Sequence, residues 1–161
     1  MGRVLSLLDR AVEAAIVCLM AVVVLTVASD VVSRYLLGGS LIFANELSRM
    51  CFIWVCFLGM PIGISKGLHV AITTLEARLT PTWQSAMFRL GLVFMLVLMV
   101  VVIWGAIVSI GARSAEQLNT IPVTAAWFYV PVAIGAGLSI LHIIAQFIEG
   151  RRIVREAIET V

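Results

Sequence analysis

Glu46 and Arg49 stand three residues apart at the head of an apolar run that carries no further charge until Lys66. On a helix that spacing places an acid and a base on one face. Ionised side chains at membrane depth are costly, so they mark sites with a task. A second pair, Asp30 and Arg34, lies four residues apart just upstream, and Gly38-Gly39-Ser40 separates the two pairs. Glycine makes this an expected tight turn. Counted outward from Gly39 at about 1.5 Å per residue, Arg34 matches Glu46 in depth and Asp30 matches Arg49. The expected arrangement is a four-charge cluster, Asp30 with Arg49 and Arg34 with Glu46, with Asn45 adding an interhelical hydrogen bond. Such a cluster either braces the hairpin or presents an edge to a partner, and the residues alone leave both readings open.

Other reactive side chains are sparse. His69 and His142 are the only histidines. Two histidines in a helical membrane bundle could ligate haem, the pattern of an electron-transfer cytochrome subunit. Interfacial or hydrogen-bonded histidines are the expectation instead. Cys18, Cys51 and Cys56 all sit in apolar runs without the spacing of a metal site or a disulfide framework. The chain holds no HExxH, no Gly-rich phosphate loop and no plausible Ser-His-Asp set, so neither enzyme activity, metal nor cofactor is expected. Glu13, near the start of the first apolar segment, is placed like the acid of a free-standing small exporter, but other charges of the leader surround it.

The elements that position these residues follow from composition. The chain has 161 residues, of which 62% are hydrophobic and 12% charged. Soluble domains carry about 25% charged residues. Apolar segments predict transmembrane helices over about 12–37, 41–65, 83–111 and 122–149, each near or above the roughly 20 residues that cross a bilayer. A closed barrel would show weak alternation instead. The leader holds Asp9 and Glu13 and lacks a small-residue cleavage site, so the first segment is expected to stay as a helix. Between the second and third spans, Leu68, Ile72, Leu75 and Leu79 repeat at helical spacing, which predicts a short amphipathic helix over about 68–80 in the interface plane. Trp83 and Trp127 fall where aromatic anchors belong, and His69 marks the exit of the second span. Gly59, Gly63 and Gly67 recur every four residues, and Gly135 and Gly137 form a second small patch; both suit close helix packing, within the chain or with a partner. Pro61 removes a backbone donor within the second span.

The fold expected is therefore all-α: one polytopic membrane domain over 1–161, with four transmembrane helices and an interfacial helix. Basic residues gather before the first span, between the second and third, and after the fourth. The positive-inside rule then places both termini in the cytoplasm. A net charge of +2 gives no footing for nucleic acid. Midplane transport sites use broken helices and buried polar groups. Too few polar residues are present for a transport path of the chain's own.

Arg34-Tyr35, Glu46-Leu47-Ser48-Arg49, Phe57-Leu58-Gly59 and Gly67-Leu68-His69-Val70 form an ordered series. So does the later stretch Gln117-Leu118-Asn119-Thr120-Ile121-Pro122 followed by Trp127-Phe128-Tyr129-Val130-Pro131. In order and spacing these resemble the small, Q-type membrane subunit of tripartite ATP-independent periplasmic (TRAP) transporters over roughly residues 10–150. The resemblance implies a division of labour. A periplasmic solute-binding protein captures an organic anion, often a carboxylate, and a large multi-span subunit carries it across with sodium. The small subunit is implied to be a scaffold in the bacterial inner membrane, packed among lipids against the large one and helping the binding protein to dock. The family also occurs fused to its large subunit, and this chain looks like the separate form.

Overall fold

A computed structural model of the chain describes residues 2–65 and 81–159. The interfacial helix expected over 68–80, with His69 and Gly67, lies outside the described residues. Four long helices carry the rest: α1 (Gly2–Leu36), α2 (Ile42–Ser65), α3 (Pro81–Arg113) and α4 (Val130–Glu159). A short 3-10 turn, Ala125–Phe128, leads into α4. Each long helix contains a stretch apolar and long enough to cross a bilayer: Ser6–Leu36, Ile42–Ile64, Arg89–Arg113 and, counting the 3-10 turn, Ala125–Ile148. The charged leader before the first span does not interrupt α1, which is helical from Gly2.

The helices form an open row rather than a closed bundle: α1 packs on α2, α2 on α4 and α4 on α3. The order follows from where the small and buried residues lie. On α2, Ala44, Cys51 and Leu58 recur at spacing seven and are buried. Ile64, Leu92, Met99, Ala136 and Ile143 form the core that joins α2, α3 and α4, with Met60, Met95 and Ile140 packed around it. Pro61 and Pro131 are also fully buried, so the missing backbone donors fall inside the protein rather than against lipid. By contrast, Val17, Leu25 and Val32 of α1 and Leu90, Phe94, Val101 and Trp104 of α3 are exposed. In water such faces would aggregate; in a bilayer the lipid chains cover them.

Helices α2 and α4 run parallel from the same end. Arg49 lies beside Phe128, Phe57 beside Gly135, and at the far end Gln146 donates to the Ile64 carbonyl at 2.5 Å. Gly135 makes the middle contact possible. A Cβ there would stand 2.8 Å from the Phe57 carbonyl carbon and collide with its oxygen. Ser139, one turn on and fully buried, returns its hydroxyl to the Gly135 carbonyl at 2.7 Å. The other glycines with helical spacing behave differently. Gly59 and Gly137 face open space, and Gly63 is half-buried.

Candidate functional site

The turn between α1 and α2 places the first pair of charges. Gly38 adopts φ 70°, the left-handed conformation that suits glycine after a helix C-terminus. The amide of Leu37 donates to the Ser33 carbonyl at 2.9 Å, and the Ser33 hydroxyl donates to the Gly39 carbonyl at 2.8 Å. Asp30 then reaches across the turn. One carboxylate oxygen accepts from the Ser40 hydroxyl at 2.9 Å and from the Leu41 amide at 2.7 Å. The other accepts from Arg34 at 2.8 Å. Asp30 thus satisfies an amide that the start of α2 would otherwise leave without a partner. Asn45 lines the small cleft beside these groups, and its carbonyl accepts from the Ser48 hydroxyl at 3.2 Å.

Glu46 looks the other way. It accepts from the backbone amides of Asn119 at 3.3 Å and Thr120 at 3.0 Å, and from the Thr120 hydroxyl. The loop that receives it is itself knitted. Leu118 donates to the Val123 carbonyl at 2.9 Å, Ala125 to the Glu116 carbonyl at 2.7 Å, and Gln117 bridges to Thr124. Arg113, at the end of α3, pairs with Glu116 at 2.9 Å and lies 5.9 Å from the Tyr129 ring centre. Arg49 stacks over Phe128 at 4.9 Å and, among the described residues, has neither ion pair nor hydrogen bond. One turn further, Trp54 stacks on Trp127 with ring centres 6.2 Å apart. The Trp83 ring is exposed.

The sequence placed these four charges at one end of the molecule, and the structure puts them there. Their pairing is a correction. Asp30 joins Arg34 within its own helix rather than Arg49, and Glu46 holds the 117–124 loop rather than Arg34. Depth counting matched residues along the hairpin but ignored their bearing around each helix. On α2, Glu46 and Arg49 share the side that faces α4 and the loop, whereas Ala44, Cys51 and Leu58 form a separate buried stripe. Loop amides that lack secondary-structure partners are strong donors, and they claim the carboxylate.

Glu46, Arg49, Arg113 and Glu116 line a cleft of about 650 Å³. Below the charges its wall turns apolar through Ile53, Phe57 and Val132. Gln117 and Asn119 form its polar rim. Sequence reasoning missed Arg113, Glu116 and Thr120 as parts of this site. The Arg113–Glu116 spacing was visible, but nothing local revealed that the loop folds back onto α2.

At the other end a second polar contact crosses the row. His142 is buried, with its Nε2 2.9 Å from Asp9 of α1 and its Nδ1 2.9 Å from the Leu138 carbonyl. This is the hydrogen-bonded histidine expected from the sequence, and the partner on the leader was not foreseen.

The sequence profile of tripartite ATP-independent periplasmic transporters, DctQ component, matches residues 22–153. Among individual relatives, the sialic acid TRAP transporter small permease protein SiaQ of Vibrio cholerae is 28% identical over 135 residues, 81% of this chain and 75% of that protein. A putative TRAP transporter small permease protein of Haemophilus influenzae is 28% identical over 99 residues, 62% of each chain. A second from the same organism is 19% identical over 134 residues, covering 83% of this chain and 81% of its own length. An all-helical chain with four bilayer-length apolar helices and a profile match across most of its length belongs to the DctQ family, the small permease component of tripartite ATP-independent periplasmic transporters.

Proposed function

We propose that this small permease subunit is a scaffold that packs against a large multi-span membrane subunit and is not the conducting element. The carrying observation is where its polar groups lie. Glu46, Asp30 and Glu116 are each consumed by structural partners at one end of the helices, and the Asp9–His142 contact sits at the other. Between these ends α2 has no charge from Met50 to Ser65, and α3 has none from Leu90 to Ala112. A chain that moved an ion or an anion by itself would need polar groups near the bilayer middle. The open row supports the same reading, because it leaves apolar faces of α1 and α3 exposed for a partner as well as for lipid. Gly59 of α2 and Gly137 of α4, where an added Cβ meets no atom of the described residues, suit the close approach of a partner helix.

In this reading the complex imports an organic anion, most simply a carboxylate, with sodium, after delivery by a periplasmic binding protein. The Vibrio relative, whose name carries sialic acid, a carboxylic acid, supports that class of cargo. The charge distribution supports an inner-membrane orientation with both termini cytoplasmic, which puts the hairpin and the 117–124 loop on the periplasmic side. There Asp30 with Arg34 braces the hairpin turn, Glu46 braces the 117–124 loop, and the exposed edge at Arg34 and Asn45 is offered for docking. Co-expression with a tagged large subunit tests the scaffold. The two should co-purify in equal amounts, and recovery of the large subunit alone, fully active, would contradict it.

A further inference from the structure

We propose that the cleft between α2, α4 and the 117–124 loop holds one glycerophospholipid, its phosphate on Arg49 and an acyl chain along Ile53, Phe57 and Val132. The inference requires only that the chain lies in a bilayer, and it stands apart from the scaffold reading. Its first support is an imbalance of donors and acceptors. Both carboxylates that line the cleft already have donors, Glu46 from the loop and Glu116 from Arg113. Arg49 is exposed and offers a full guanidinium fork with no acceptor among the described residues, within the stretch Ile42–Ile64 that is long and apolar enough to cross a bilayer. A guanidinium at that depth calls for an anionic oxygen, and phosphate matches its geometry with paired hydrogen bonds.

The second support is the wall below. Arg49, Ile53 and Phe57 recur at spacing four, so they descend one face of α2 by about 12 Å. Val132 lines the same descent from α4. A charged mouth over an apolar shaft is the profile of a lipid headgroup over its chain. A carboxylate on a partner protein would satisfy Arg49 but would leave the shaft without a role. The cleft volume of about 650 Å³ falls in the range of small-molecule sites.

The test uses the purified full chain in detergent, with bound lipid counted by native mass spectrometry. The probes are palmitoyl-oleoyl phosphatidylglycerol and phosphatidylethanolamine, the matching diacylglycerol without phosphate, and dihexanoyl phosphatidylglycerol without long chains. One long-chain phospholipid should bind per chain, about tenfold tighter than either stripped probe, as expected for a charge-assisted contact. Arg49→Gln should weaken it about tenfold, Arg49→Lys less, and Arg89→Gln, outside the cleft, not at all. Ile53→Trp fills the shaft without touching charge, so it carries the test if Arg49→Gln fails to fold. Equal binding of diacylglycerol or of the dihexanoyl lipid would overturn the proposal. So would an Arg49→Gln chain that keeps its phospholipid but loses the large subunit on co-purification, which would assign the guanidinium to a protein carboxylate.

Discussion

Glu46 and Thr120, 74 residues apart in sequence, meet at the head of α2, where the carboxylate accepts the Thr120 amide at 3.0 Å. This contact, with those to the Asn119 amide and the Thr120 hydroxyl, fastens the loop between α3 and α4 onto the α1–α2 hairpin. Glu46→Ala should therefore loosen the loop without melting the helices. Hydrogen exchange at the Asn119 and Thr120 amides should rise at least about tenfold, because these amides lose their acceptor. Unchanged exchange there would show that the loop holds itself.

The same geometry decides a charge exchange. Arg34→Glu combined with Glu46→Arg would preserve a direct pair if those side chains touched. They do not: Arg34 serves Asp30, and Glu46 serves the loop. The double variant should be no better than the worse single variant in complex yield. Recovery toward wild-type yield would contradict the pairing described above.

Much of the fold was legible because hydrophobic length is a strong signal. Four spans, the Gly38–Ser40 turn and the charged end could all be placed from residue types and spacing. The order of helices in the row was not legible, since the apolar surfaces of α1 and α3 resemble a core until their exposure is known. The partners of the charges were misassigned for a related reason. Spacing gives depth along a helix, and it does not reveal that backbone amides of a distant loop will compete for Glu46. The glycine series misled in a milder way, because only geometry separates Gly135, pressed on Phe57, from Gly59 and Gly137 in open space.

That separation gives a paired prediction. Gly135→Ala forces a methyl into the Phe57 carbonyl and should destabilise the chain by ~1–3 kcal/mol in a detergent melt. Gly137→Ala meets nothing among the described residues, and should stabilise the isolated subunit by up to ~1 kcal/mol through helix propensity. If Gly137 faces the large subunit, the same variant should lower complex yield. Equal effects of the two substitutions on the isolated chain would show that the α2–α4 approach is looser than described.

At the opposite end, His142→Phe should cost ~1–3 kcal/mol, because it removes the buried imidazole from its contacts with Asp9 and the Leu138 carbonyl. The loss should appear in thermal melts as an earlier release of the N-terminal part of α1. A melt indistinguishable from wild type would mean that the leader packs without this contact.

The central claim is that this chain braces a transporter without conducting. Uptake of a labelled organic anion into proteoliposomes under an inward sodium gradient tests it most directly, with the cognate binding protein supplied outside. Vesicles holding this chain and the large subunit together should accumulate solute, and vesicles holding this chain alone should stay at the background of empty liposomes. Gradient-dependent accumulation by this chain alone would contradict the account.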